Sequence, residues 1–239
     1  MGVDPAMFSQ ALMFHAHRYS KGAWAGEPET DPTQDFDEPV EGWELTPQEC
    51  IDLAYGGVIR EKSVLCGSST ACIINLNASS GLLRAANLGD SGFLIIRSAS
   101  LYHVQNPQTH YFNCPKQLSK IPPRLKTEGS IVDHPSDADI YSTTLRGGDI
   151  IIAYTDGLSD NLFSHDVASI SALVMRANET PEQLAQTLAD RLALYATQCM
   201  WDKKRVSPFE VGCRRAGEYW KGGKIDDVTV VVALVSEDL

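Results

Sequence analysis

The chain has 239 residues, with 20 Lys+Arg against 31 Asp+Glu, a formal net charge of −11 and a pI near 4.9. Apolar residues make up 43%, which excludes wholesale disorder, and the acidity argues against a nucleic-acid or anionic-membrane binder, which needs clustered Lys and Arg. No apolar run approaches the ~18 residues that span a bilayer, and no secretory signal pattern is visible.

Asp4-Pro5 through Tyr19 reads as a helix, with Asp4 as cap, Pro5 in the first turn, and Met7, Phe8, Ala11, Leu12 and His15 on one face. Glu27 to Glu41 holds seven acidic residues, no basic ones and three prolines, so it is expected to be a mobile surface insertion. A docking site for a basic partner is its functional alternative. Thr46-Pro47-Gln48-Glu49 is a capping-box start for a second helix, which ends near Gly56-Gly57 or continues to Lys62.

The period then turns strand-like. Ala71–Leu76, Leu82–Leu88, Gly92–Arg97 and Leu101–Val104 are apolar runs separated by turn clusters, and predict a meander of antiparallel strands. Residues 105–145 are polar and Pro-rich and predict a long loop or flap. Asp149–Tyr154 predicts a buried strand running into Thr155-Asp156-Gly157. Helices are expected over His165–Arg176 and Pro181–Cys199, the latter capped by Thr180 with Gln183 and facing the core with Leu184, Leu188, Leu192 and Tyr195. Val228–Val235 predicts a last apolar strand. The six cysteines show no C-x-x-C pair or zinc-finger spacing and read as buried free thiols in a reducing compartment.

Three aspartates share one local context. Asp90 lies in a Gly-Asp-Ser-Gly turn between two apolar strands, Asp156 follows a strand and precedes Gly157, and Asp226 precedes the last strand. Taken singly, each is ordinary turn chemistry. Carboxylates converging at strand ends would repel one another unless cations neutralise them, and oxygen-only ligands suit Mg²⁺ or Mn²⁺.

The order of these motifs carries a resemblance. Gly67-Ser68-Ser69-Thr70-Ala71, Ala86-Asn87-Leu88-Gly89-Asp90-Ser91-Gly92, Thr155-Asp156-Gly157-Leu158-Ser159-Asp160-Asn161 and Lys224-Ile225-Asp226-Asp227-Val228-Thr229-Val230 resemble the metal-dependent type 2C (PPM) Ser/Thr protein phosphatases. His110-Tyr111-Phe112-Asn113-Cys114-Pro115 resembles the subgroup that includes the mitochondrial type 2C enzymes. The resemblance implies an α+β fold, two packed antiparallel sheets flanked by helices, in one domain over 1–239. It also implies a binuclear Mg²⁺ or Mn²⁺ centre, with Asp156 and Asp226 as metal ligands and Asp90 on a more loosely held third ion. The nucleophile is then a water activated by the ions, with no phospho-enzyme and no nucleophilic Cys or Ser. Asp160 and Asp227, beside these motifs, read as solvated turn residues. The substrate is a phosphoprotein, no nucleic acid or membrane span is implied, a monomer is the default, and the subgroup implies a mitochondrial location.

The family's Asp-Gly-x-Gly-Gly element, whose Asp bridges both ions, does not occur in these 239 residues. In the subgroup it precedes a segment like Gly2-Val3-Asp4-Pro5, so the chain is expected to lack the N-terminal strands and to turn over weakly or not at all. We favour an N-terminally incomplete phosphatase. The alternatives are a catalytically inactive binding or regulatory module that recognises phosphoproteins through residues 105–145, and a purely structural domain.

Overall fold

A computed structural model of the chain describes residues 4–25 and 42–236. The expected acidic insertion at Glu27–Glu41 lies outside the described residues. In chain order the elements are α1 (Ala6–Trp24), α2 (Pro47–Arg60), β1 (Gly67–Ser69), β2 (Ala71–Asn77), β3 (Leu82–Leu88), β4 (Gly92–Arg97), β5 (Ser100–Val104), β6 (Thr109–Tyr111), β7 (Cys114–Pro115), β8 (Leu118–Lys120), β9 (Asp139–Thr144), β10 (Ile150–Tyr154), α3 (Asp156–Ser159), α4 (Ser164–Val174), α5 (Pro181–Trp201), α6 (Pro208–Ala216) and β11 (Val230–Leu234). The fold is α+β, with antiparallel sheets flanked by helices.

The chain divides into two compact units, one of residues up to Leu88 with Lys116–Thr143, the other of Gly89–Pro115 with Thr144 onward. In the first unit, α1 packs on α2 beside the sheet β2-β3-β9 and the short pair β1-β8. Its core gathers Phe8, Leu12, Ile51, Val58, Leu88 and Leu118. The Asp4 side chain accepts the Ala6 N–H (2.9 Å), and α1 runs past its expected end because Tyr19 and Ala23 continue the buried face. The capping box of α2 forms as expected: Thr46 Oγ1 accepts the Glu49 N–H, and the Glu49 carboxylate accepts the Thr46 N–H. The helix continues through Gly56-Gly57. A Cβ at Gly57 would lie 2.6 Å from the His15 ring, so this glycine permits close helix approach and does not break the helix.

The second unit is built on the sheet β11-β10-β4-β5, with α4 and α5 packed together and α5 against β11. Leu94, Ile96, Ile152, Leu158, Leu188 and Leu192 form its core. Asp149, 1% exposed, is forked by Arg97 at 2.9 and 2.6 Å and also accepts the Arg146 N–H. Burial opposes the charge on Asp149, but the hydrogen bonds of Arg97 and Arg146 outweigh it and hold the carboxyl below its ordinary pKa.

Four expectations change. The strands from 71 to 104 are not one meander. Among the described residues, β3 pairs with β2 and β9, and β4 with β10 and β5, so the chain leaves one sheet for another across Gly89-Asp90-Ser91, with φ +102 at Gly89. Residues 105–145 are not a loop throughout, because they carry β6, β7, β8 and β9; β9 is polar and mostly exposed, which leaves no apolar period to read. Tyr195 is 37% exposed, and Ala196 and Cys199 take its place on the buried face of α5. All six cysteines are free thiols, as expected, but Cys66, Cys72 and Cys114 are only partly buried. Among the described residues no helix is long and apolar enough to cross a membrane.

Candidate metal centre

The site lies within the second unit. β10 ends at Tyr154, Thr155 follows in extended conformation, and Asp156 opens the single turn of α3. The Asp160 N–H donates to the Asp156 carbonyl (2.7 Å), which places the two carboxylates one helical turn apart on one side. The segment before β11 meets this turn directly. Thr155 and Thr229 join through their backbones (3.2 Å) and through the Thr155 hydroxyl, which accepts the Thr229 N–H (3.0 Å). A Cβ at Gly157 would sit 2.2 Å from the Asp227 carbonyl oxygen, so only glycine lets the two segments approach.

Asn161, fully buried, fastens the next residues. Its amide donates to the Gly157 and Lys224 carbonyls (both 2.9 Å), and its carbonyl accepts the Lys224 N–H (3.0 Å). Asp156, Asp160 and Asp226 thereby come together, each offering an oxygen within 4.8 Å of the others. The Lys224 ammonium stands among them, 3.1 Å from Asp156, 2.7 Å from Asp160 and 3.1 Å from Asp226.

Asp90 stands outside this trio but within its field. Burial pushes its carboxyl up to about 6, and the charges of Asp156 and Asp226 add to that effect. Burial likewise pushes Asp160 to about 6 despite its hydrogen bond to Lys224, with Asp156 and Asp90 adding to the rise. For Lys224, burial works against the charge, but Asp160, Asp156 and Asp226 outweigh it and hold the ammonium above the ordinary lysine value. A cleft of about 330 Å³ opens beside the carboxylates; Asp90 and Asp160 line it together with Phe112, Phe163 and Phe209.

Of the three aspartates read from the sequence, Asp156 and Asp226 are therefore brought together and Asp90 lies nearby. Asp160 is not the solvated turn residue expected, because its side chain is 24% exposed and paired with Lys224. Asp227 is exposed, as expected of a turn residue. The i,i+4 spacing of Asp156 and Asp160 is the sequence signal that would have found the second carboxylate. Lys224, in the same motif as Asp226, carried no such signal. The donor set fits a hard divalent cation, being all carboxylate oxygen, clustered at coordination scale and short of positive charge once Lys224 is counted.

Three carboxylates gathered at strand ends, on antiparallel sheets flanked by helices, form an arrangement that suits a divalent cation. The chain is similar to a protein phosphatase PTC7 homolog of Xenopus laevis, 37% identical over 237 residues, which cover 99% of this chain and 72% of the relative. It is also similar to a probable protein phosphatase 2C 55 of Arabidopsis thaliana, 39% identical over 80% of this chain and 38% of that protein. Among solved structures, the photosystem II phosphatase PBCP superposes with a TM-score of 0.71 at 27% identity, covering 98% of this chain and 81% of that one. No family model matches the chain. The chain belongs to the type 2C protein phosphatase family, among its PTC7-like members.

Proposed function

We propose that the protein hydrolyses phosphoserine and phosphothreonine in protein substrates with Mg²⁺ or Mn²⁺ held by Asp156, Asp160 and Asp226 and, more loosely, by Asp90. The observation that carries this is the convergence of three carboxylates at coordination distance in a family of protein phosphatases. Divalent ions held there would lower the pKa of water for use as a nucleophile and offset the charge of the phosphoryl oxygens. The chain's own residues do the positioning. The turn of α3 sets Asp156 and Asp160, the Thr155–Thr229 contacts hold the Asp226 segment against it, and Asn161 fixes the backbone of Lys224. Phe112, Phe163 and Phe209 give the substrate an apolar wall in a cleft that Asp90 and Asp160 also line. Both units are read as parts of one phosphatase-like domain.

Hydrolysis of p-nitrophenyl phosphate and of a phosphothreonine peptide in Mn²⁺ tests this reading. Asp156→Asn is expected to lower the rate about 100-fold or more, since removing even outer-shell partners of metal ligands costs 10–100-fold. Activity unaffected by the variant would sink the assignment. We further propose that these 239 residues turn over weakly, because their sequence carries no Asp-Gly-x-Gly-Gly to complete the metal set. Activity equal to that of the Xenopus laevis relative overturns that point. Tight phosphopeptide binding without Mn²⁺ and without hydrolysis would favour a binding module instead. A mitochondrial location belongs to the same proposal and is checked by imaging the tagged full-length protein.

A further inference from the structure

The carboxylate cage already contains a cation belonging to the chain. Lys224 contacts all three carboxylates, its side chain is only 17% exposed, and its Nζ lies 5.1 Å from the centroid of the Phe209 ring. Its backbone is held on both sides, N–H and C=O, by the fully buried Asn161. Surface lysines rarely meet these conditions together, because an exposed ammonium gives up little water and keeps its rotamer freedom. Here the ammonium stands over an aromatic ring, the backbone is clamped, and the same head sits where three oxygens lie within 4.8 Å of one another.

We propose that Lys224 is an internal counter-ion of the metal centre, filling the carboxylate cage in the metal-free protein and yielding it to a divalent ion. The inference rests on the metal reading above. Its physical basis is exclusion. Mg²⁺ takes carboxylate oxygens at about 2.0–2.1 Å, and it would draw on the same oxygens that the ammonium already contacts at about 3 Å. Two cations sharing those oxygens repel strongly in a partly dry site, so the ammonium must swing out when the ion enters. Without the ion, the ammonium offsets the mutual repulsion of the aspartates and keeps the cage assembled. Lys224 therefore weakens metal affinity and stabilises the metal-free fold. Because its backbone is fixed, the displaced head stays near the site and the exchange is reversible.

Lys224→Met keeps the packing stem and removes the charge. Free Mn²⁺ counted by its electron paramagnetic resonance signal gives the affinity, and thermal unfolding gives the metal-free Tm. The variant is expected to bind Mn²⁺ about tenfold tighter, within the usual range of coupling between sites, with a metal-free Tm lower by about 3 °C or more. A folded variant that binds Mn²⁺ no more tightly than wild type overturns the proposal. Nuclear magnetic resonance of ¹⁵N-lysine-labelled wild type gives a reading that needs no folded Met variant. The Lys224 ammonium signal, assigned by its loss in Lys224→Arg, should move at saturating Mg²⁺, and an unmoved signal overturns the proposal. If neither wild type nor variant binds Mn²⁺, the metal reading fails and the counter-ion with it. Binding by wild type without gain in the variant removes the counter-ion alone.

Discussion

Asp149 shows how one side chain can make stability depend on pH. It is buried and forked by Arg97, so its carboxyl is held below the ordinary value and its stabilisation is present only above the unfolded-state pKa of about 3.9. As pH falls from that value through the lower folded one, the unfolded chain takes up its proton first and the contribution is lost. Arg97→Ala leaves the charge buried without its partner and is expected to destabilise the protein by about 3 kcal/mol near neutral pH. Urea unfolding at a series of pH values should show a steep acid loss in wild type and a flatter one in Arg97→Ala. Parallel curves would contradict the pairing.

At the scale of elements, Gly57 sets two effects against each other. Alanine is the better helix former by about 1 kcal/mol. Its methyl, however, would enter the His15 ring at 2.6 Å, and overpacking a core costs about 1–3 kcal/mol. Gly57→Ala is therefore expected to lower Tm, whereas a rise would mean that α1 and α2 can separate freely. The same glycine marks where sequence reading stops. The capping boxes at Thr46 and Thr180 are legible because they are local, four residues wide and chemically specific. Passage of α2 through Gly56-Gly57 depends on a ring 42 positions upstream, which no local pattern contains. Strand β9 was missed for a related reason, since its residues pair with β3 while most of their side chains face water.

For the whole molecule, ligand linkage supplies the test. An ion that binds only the folded state at 100 times its Kd adds about 2.7 kcal/mol, which is roughly 5–10 °C in Tm for a chain of this length. Mn²⁺ should produce such a shift in wild type and little in Asp156→Asn; equal shifts in both would place the ion elsewhere. Asp90, Asp156 and Asp226 were readable from strand-end motifs in a fixed order. Asp160 had only its i,i+4 spacing from Asp156 to mark it, and Lys224 had no local mark, because it lies 64 residues from Asp160 and reaches it through long-range contacts such as the clamp of Asn161.

The sheet order also distributes the site unevenly over the fold. Asp156 follows β10, which has a neighbour on each side, while Asp226 precedes β11, which pairs with β10 alone among the described residues. An outer strand opens at lower free energy than an inner one, so transient opening of β11 carries one carboxylate away and leaves the other two in place. Amide hydrogen exchange should register this asymmetry. Without metal, Val230–Leu234 should exchange faster than Ile150–Tyr154, and Mg²⁺ should slow β11 far more than β10. Ion capture would then act as a latch on the sheet edge, with occupancy of the cage setting how long the last strand stays closed.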